Sequence, residues 1–379
     1  MRNIHQPFCS VIPPHMQRSM AEHGSDKDRE NVASTLYHTS KILQDRELSL
    51  AAPRKHVVRE TKSRKIYDAL NHNFLPGRLV FDELTRMKPG IDVAVREAFE
   101  YSGETYDFLA KVFKRNSIDD RGMTIISTVH YGENYDNAMW NGKQMVYGDG
   151  DGKRFNRFTS SVDVVGHELT HGVTQFTAKL EYHDQPGALN ESMSDVVGIM
   201  IKQRRLLLTS DKSNWYIGEG LFGPEVHGKA LRSMAAPGTA YDDPVLGKDP
   251  QPAHMRDYVD SPEDNGGVHI NSGIPNHAFF LTATRLGGYS WTVAGRIWYE
   301  AHTKRLSPRA EFQDMANATV AVAGELYGEG GQVQETVRKA WADVGIIVPR
   351  APTTALSARD RKPVRANRWW NRLTLSTSH

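Results

Sequence analysis

The stretch VDVVGHELTHGVTQF, residues 162–176, decides how the rest of the chain is read. Its apolar residues recur at helical spacing, with no strand-like alternation of comparable length, which predicts a buried helix. His167 and His171 stand one turn apart on one face of that helix. Two imidazoles so placed can reach a single ion, while Glu168 is held beside it without being a ligand. Zinc favours such nitrogen donors. An ordinary pair of buried helix histidines is the alternative that these five residues alone leave open.

A second helix, expected over residues 191–208, supplies what the first lacks. Catalytic zinc takes three protein ligands and keeps a fourth position open, and two histidines with a glutamate are one known solution. Glu191 lies twenty residues beyond His171, enough for a loop and a returning helix. Asp195, one turn further on the same face, is placed to accept the free N–H of a ligating imidazole and fix its tautomer. Read alone, Glu191 also fits a charge stabilised by the dipole at a helix N-terminus.

Outward from these helices, 379 residues and 42.6 kDa leave room for two packed units plus extensions, at ~150 residues per domain. Hydrophobic residues at 39% and charged residues at 24% place the chain among globular proteins. No run approaches the ~18 apolar residues of a membrane span, and the first residues lack the apolar core of a Sec-type signal. The single cysteine, Cys9, forms no disulfide within the chain and rules out a zinc site built from several thiolates. Lys and Arg number 47 against 45 Asp and Glu, a balance that gives no reason to expect a nucleic-acid partner. The charge is uneven: residues 350–379 carry seven Arg and Lys against one Asp, a net +6, which leaves 2 − 6 = −4 for the remainder. With Trp369 and Trp370 among its arginines, this tail fits an unstructured end or a segment that docks on an anionic surface.

The first sixty-odd residues are polar, with Pro13-Pro14 and a basic run from Arg54 to Lys65, and resemble an arm or leader more than a core. A helix is expected over 91–113, then short β-rich pieces at 123–130 and 144–147 between Gly, Asn and Asp turns. That is an α+β unit. After a loop-rich middle, helical texture returns at 275–285, 290–303, 309–327 and 333–344. The Gly148–Gly152 run lacks the lysine of a phosphate loop and the glutamate of a calcium loop, and reads as a tight turn.

Several separated motifs together carry a family resemblance. They are Asn137-Ala138-Met139-Trp140, the Gly148–Gly152 run, Asp163 to His171, Asn190-Glu191 with Asp195, Leu231 to Met234, and Asp264 to Gly273. Over about residues 66–347 the chain resembles the thermolysin-like (M4, gluzincin) zinc metallopeptidases, and within them the protealysin-like branch. The resemblance implies an α+β, two-lobed fold: a propeptide over 1–65, a β-rich lobe over 66–190, a helical lobe over 191–347 with the cleft between the lobes, and a basic tail over 348–379. It implies a zinc endopeptidase made as a zymogen, cutting on the N-terminal side of bulky hydrophobic residues.

Carried over residue by residue, His167, His171 and Glu191 would bind one catalytic zinc, with Asn190 and Asp195 supporting the histidines. Glu168 would be the general base for the water that attacks. His269 and Tyr182 would stabilise the oxyanion and Asp264 would hold the His269 ring. Arg232 would take a substrate carbonyl, and Asn137, Ala138 and Trp140 would align the peptide. Phe155, Val164 and Leu231 match the apolar wall for the side chain after the cut, although three core residues would look the same.

Asp163, Asn214 and Glu219 fall where calcium ligands would stand, but Lys202 occupies a carboxylate position of the calcium-rich members, so at most one calcium is expected. Ile12-Pro13-Pro14-His15-Met16 resembles the short propeptide signature of the branch, and the leader is expected to lie along the cleft as an intramolecular inhibitor. Cys9 reads as an ordinary free cysteine, with capping of the metal in the precursor as the alternative. The remaining expectations are a monomer acting on peptides and proteins, secreted by resemblance, with a cytoplasmic precursor exported by a non-classical route as the alternative.

Overall fold

The computed structural model describes residues 10–50 and 61–350, with backbone alone for 43–50. Cys9, most of the basic run from Arg54, and the tail with its two tryptophans lie outside the described residues.

The leader is helical where the sequence suggested an arm. Helices α1 (Pro14–His23) and α2 (Asp26–Leu50) follow a short irregular piece, residues 10–12. Pro13 precedes the first helical position and Pro14 occupies it. A fixed φ and a missing N–H suit that place, so Pro14 starts a helix while Pro13 keeps the extended backbone before it. Gly24 ends α1, where a Cβ would stand 2.4 Å from the Met20 carbonyl. Ser25 and Asp28 then cap α2 reciprocally: the Asp28 N–H donates to Ser25 Oγ at 3.2 Å and the Ser25 N–H donates to Asp28 Oδ2 at 2.7 Å. Among its described residues the leader builds no core of its own. Met16, Met20 and Val32 join the main core, and Ile42 packs in a smaller cluster with Tyr131, Tyr135 and Val146.

The β-rich region holds β1 (Arg64–Asp68), β2 (Arg78–Asp82), helix α3 (Val93–Phe113), β3 (Ile125–Val129), β4 (Ala138–Trp140) and β5 (Met145–Tyr147). The strands form one sheet in the order β2-β1-β3-β5-β4, parallel at β1/β3 and β3/β5 and antiparallel at both ends. Asp92 caps α3 by accepting from the N–H groups of Ala94 at 2.8 Å and Val95 at 3.0 Å. The short strand β4 forms the sheet edge that borders the site.

Helix α4 (Val162–Phe176) has the bounds its periodicity predicts, and α5 (Asp184–Leu206) runs back against it. Their approach is close: a Cβ on Gly198 would stand 2.4 Å from the Asp163 carbonyl of α4. That contact sets the two ligand-bearing helices side by side. The helix-rich region continues with α6 (Asp264–Asn271), α7 (Gly273–Leu286), α8 (Ala294–Arg305), α9 (Phe312–Tyr327) and α10 (Gln332–Asp343) around Phe279, Trp298 and Trp341. Two small ribbons, β6 (Tyr216–Ile217) with β7 (Arg232–Ser233) and β8 (Asp242–Asp243) with β9 (Gly247–Lys248), order the loop-rich middle. The expected two-lobed α+β architecture is present, and among the described residues no helix is long and apolar enough to cross a membrane.

Candidate active site

The three expected metal ligands meet. One donor atom each from His167, His171 and Glu191 lies within 4.8 Å of the others, and all three residues are buried. Each imidazole is oriented from behind. His167 Nδ1 donates to Asp195 Oδ1 at 2.8 Å, and His171 Nδ1 donates to Asn190 Oδ1 at 2.9 Å. Both Nδ1 protons are therefore used, which turns the two Nε2 atoms toward each other at 3.1 Å. Two nitrogens held by one tetrahedral zinc stand about 3.3 Å apart. Glu191 Oε2 has no hydrogen-bonding partner and lies 3.4 Å from His167 Nε2. Although burial disfavours charge on His167, the Asp195 and Glu191 carboxylates raise it to about 10, so the cluster favours a positive charge at its centre. The donor set fits zinc.

Asp195 is the hub behind the ligands. It also takes a two-pronged contact from Arg232, Nε to Oδ2 and Nη2 to Oδ1, each 2.8 Å, and a third donor from Asn276 Nδ2 at 2.8 Å. Against the effect of burial, Arg232 and His167 hold its carboxyl down at about 2. Arg232 keeps Nη1 buried and free of protein partners, a donor left for a ligand.

Glu168 is fully buried. The backbone N–H of Trp140 on β4 donates to its Oε2 at 2.7 Å, while Oε1 has no partner. Burial pushes this carboxyl up to about 8. A carboxylate in such a site readily takes a proton.

His269 lies opposite, on α6. The residues leading into it, Asp264 to Gly267, all have left-handed φ. At Gly266 a Cβ would stand 2.1 Å from Asp184 Oδ1, so only glycine fits. This unusual run folds Asp264 back onto His269: Nδ1 donates to Asp264 Oδ1 at 2.6 Å, and the His269 backbone N–H donates to Oδ2 at 2.9 Å. Burial works against protonation, but the Asp264 and Glu191 carboxylates raise the ring to about 9, leaving Nε2 a donor. Nε2 lies 3.2 Å from the Tyr182 hydroxyl, which in turn donates to Glu191 Oε1.

Asn137 and Ala138, expected to align substrate, border the same site, and the leader meets both. The Val11 N–H donates to the Ala138 carbonyl at 3.1 Å and the Ile12 N–H to Asn137 Oδ1 at 3.0 Å. His269 Nε2 donates to the Ser10 carbonyl at 3.1 Å. Residues 10–12 are thus tied to the edge strand β4 by one backbone bond, to Ala138, and to the residue before it by the Asn137 side chain. These contacts come from the residues just before Pro13-Pro14. Phe155, Val164 and Leu231 are fully buried in the same apolar cluster as Val11 and Ile12.

At the positions where calcium ligands are expected, Lys202 Nζ donates to Glu219 Oε2 at 2.9 Å and to the Tyr216 carbonyl at 3.0 Å, with Asp163 Oδ2 at 3.7 Å. Asn214 Nδ2 donates to Glu219. Among the described residues only the His167, His171 and Glu191 group has a metal-binding arrangement. The Gly148–Gly152 run is the tight turn expected, with Asp151 Oδ1 accepting from the N–H groups of Lys153, Arg154 and Phe155.

Sequence reasoning missed the buried leader contacts. His15 Nε2 meets the Tyr241 hydroxyl at 2.9 Å, Arg154 holds Asp28 at 2.9 Å, and the Asp136 N–H donates to Thr35 at 3.0 Å. Nothing in their spacing marks them, because each pair is more than a hundred residues apart. Asn276, too, had no local signal.

Comparison with known proteins gives one answer. Residues 32–175 match the thermolysin metallopeptidase catalytic domain and residues 178–346 its alpha-helical domain. The chain is 47% identical over 344 residues to an extracellular metalloprotease of Pectobacterium carotovorum subsp. carotovorum, covering 90% of this chain and 98% of the relative. It is 47% identical over 348 residues to protease PrtS of Photorhabdus sp. (strain Az29), covering 90% and 93%. Among solved structures, the precursor of protealysin, a metalloproteinase from Serratia proteamaculans, superimposes with a TM-score of 0.81 at 51% identity, over 89% of this chain and 99% of that one.

Proposed function

The chain belongs to the thermolysin metallopeptidase family, in its protealysin-like branch, and is a zinc-dependent metalloendopeptidase; from that premise we propose that it is made as a zymogen whose own leader occupies the cleft and that it cuts before bulky apolar residues. The observation that carries this reading is the meeting, in one buried cleft, of the three ligands, an unpartnered Glu168 oxygen and a peptide carbonyl facing His269.

Zinc bound by His167, His171 and Glu191 would polarise the peptide carbonyl and lower the pKa of a water to about 7. Glu168, held through Oε2 by the Trp140 N–H, takes the proton of the attacking water on Oε1 and passes it to the leaving nitrogen. His269 Nε2 and the Tyr182 hydroxyl donate to the oxygen as negative charge develops on it. Asp264 keeps the His269 ring aimed. Asn137 and Ala138 hold the substrate backbone as an added strand, and Arg232 Nη1 takes a further carbonyl while its other nitrogens stay on Asp195. The test is metal content with peptide hydrolysis: chelation should abolish cleavage and zinc should restore it. A folded, zinc-loaded chain freed of its leader that cuts no peptide would falsify the reading.

The apolar wall of Phe155, Val164 and Leu231 favours Leu, Ile, Phe or Val after the cut, worth ~2 kcal/mol of burial. A peptide library should show that preference; dominant cleavage before Asp or Lys would overturn it.

For leader removal, β1 sets a limit. Arg64 is buried, with Nε 2.7 Å from Glu83 Oε1, and β1 is paired on both sides. We place the nick ahead of Lys62, in or beside residues 51–60, and expect a loss of about 50–60 residues on incubation.

We read the Asp163, Asn214 and Glu219 group as held by the Lys202 ammonium in place of calcium. Lys202→Glu removes that cation and adds a carboxylate, so calcium should raise the melting temperature of the variant more than that of the wild type, by mass action on the folded form. Equal melting of the variant with calcium and with chelator would remove the assignment. The name of the Pectobacterium relative supports a place of action outside the cell, which assay of culture medium against cell extract would test.

A further inference from the structure

The leader meets the residues of the site with one particular peptide bond presented. The carbonyl facing the His269 donor belongs to Ser10. The N–H on the other side of the same peptide unit belongs to Val11 and is held by Ala138, and the next N–H, from Ile12, is held by Asn137. Ser10, Val11 and Ile12 are all nearly inaccessible to solvent. We propose that the Ser10–Val11 peptide bond is a cleavage site of this enzyme in its own chain, cut in cis while the leader is still docked. This rests on the roles given above to Glu168, His269 and Ala138.

Three features support a cut at this bond. The register is pinned by two N–H donors, and a proline at either position would have none to give. Pro13 and Pro14 come later, so the bond facing His269 is an ordinary peptide. The residue after the bond is Val11, which belongs to the apolar class that Phe155, Val164 and Leu231 favour. Finally, the rest of the leader is anchored independently of the bond. Arg18 Nη1 pairs with Glu263 at 2.5 Å, His15 with Tyr241 at 2.9 Å, and Asp28 with Arg154 at 2.9 Å. Cutting before Val11 leaves all three contacts in place.

The step is a plain hydrolysis. The oxygen of one water bonds to the Ser10 carbonyl carbon and the Ser10–Val11 C–N bond breaks. Glu168 carries a water proton to the Val11 nitrogen, which leaves as the new amine, and Ser10 ends as a carboxylate. Nothing is oxidised or reduced.

This cut is separate from the nick near residues 51–60 and should precede it. It releases a ten-residue peptide, Met1 to Ser10, and leaves a chain beginning at Val11 whose helices still cover the cleft.

The experiment uses the full-length, zinc-loaded chain, followed by intact mass and by sequencing of the N-terminal end. The expected result is a species beginning at Val11 and a free peptide ending at Ser10, both appearing before the larger loss, at a rate unchanged over a hundredfold dilution. Val11→Pro should slow this cut at least tenfold, and Val11→Leu should keep it. Glu168→Gln should stay uncut at this bond. A wild-type chain that hydrolyses an added peptide and sheds its leader only near residues 51–60, with Met1 to Ser10 still joined to Val11 in the released piece, would overturn the proposal and leave the endopeptidase reading intact. A cut at this bond whose rate rises with protein concentration would overturn the cis step. A zinc-loaded chain, freed of its leader by another protease, that hydrolyses neither itself nor an added peptide would overturn both readings together.

Discussion

Glu168→Gln is expected to keep its zinc and to lose at least ~10³-fold in kcat/KM. The substitution preserves volume at a fully buried position, and the Gln carbonyl can still accept from the Trp140 N–H that now meets Oε2. The three ligands and their supports, Asp195 and Asn190, are untouched. What is lost is the oxygen able to take a proton from the attacking water and return it to the leaving nitrogen. His167→Ala should fail differently, losing metal and activity together, because a ligand and one partner of Asp195 both disappear. Metal analysis beside peptide hydrolysis separates the two. A Gln variant with full zinc and near wild-type rates would remove Glu168 from the reaction.

The second large effect concerns the grip on the leader. Asp28 is buried and accepts two hydrogen bonds from Arg154, which hold its carboxyl down at about 2. Removing one member of a buried pair leaves the other uncompensated, at 3–5 kcal/mol. Glu225 at 3.7 Å offsets part of the charge on Arg154, so Asp28→Ala should weaken docking by about 3 kcal/mol, roughly a hundredfold. The initial peptidase rate of the uncut variant should rise accordingly over the latent wild type, and an unchanged rate would show that the pair does not hold the leader.

The pH dependence of docking follows from four buried groups. Asp28, with a depressed pKa, contributes fully above its ordinary value near 4 and loses its contribution as pH falls toward about 2. His15, pushed down to about 4 by burial, and His38, also lowered by burial, weaken docking as pH falls below their ordinary value of about 6.5. Asp136 acts in the opposite sense. Burial first, then the charge of Asp151, raises it to about 8, and Asp28 and Lys27 of α2 face it from the leader side. Because its docked form holds a proton that the free form gives up near pH 4, docking weakens as pH rises toward about 8. Above about pH 6.5 His15 and His38 are neutral in both states, and Asp136 loses its proton in the same range as His269, raised to about 9, whose Nε2 meets the Ser10 carbonyl. Leader release should quicken roughly tenfold between pH 6.5 and 8, and Asp136→Asn should flatten that rise.

The catalytic helices were legible because their chemistry and their periodicity coincide. The pattern over 162–176 gives both the ligands and the bounds of α4, and Glu191 with Asp195 falls one turn apart on α5. The leader was illegible for the opposite reason. The face that α2 buries carries Asp28, Asn31, Thr35, His38 and Thr39 at helical spacing, and these polar residues pair with the β-rich region instead of forming an apolar stripe. Hydropathy sees a solvated segment where the molecule has a fitted one. The start of α5 was placed late because its first turns, from Asp184, are polar and contain Pro186. The left-handed run before His269 could not be read from a Gly-Gly pair, since Asp264 and Asn265 share the conformation.

The ammonium of Lys202 among Asp163, Glu219 and the Tyr216 carbonyl has a practical consequence. A positive charge tethered to the backbone cannot be diluted away or extracted. In an enzyme whose scaffold depends on loosely held ions, stripping metals unfolds the scaffold and empties the catalytic centre at once, and the two losses are confounded. Here a chelator titration should silence the enzyme while its circular dichroism stays near its starting value and its melting temperature falls only by the share that the catalytic ion contributes, making inactivation a direct readout of how tightly His167, His171 and Glu191 hold their ion.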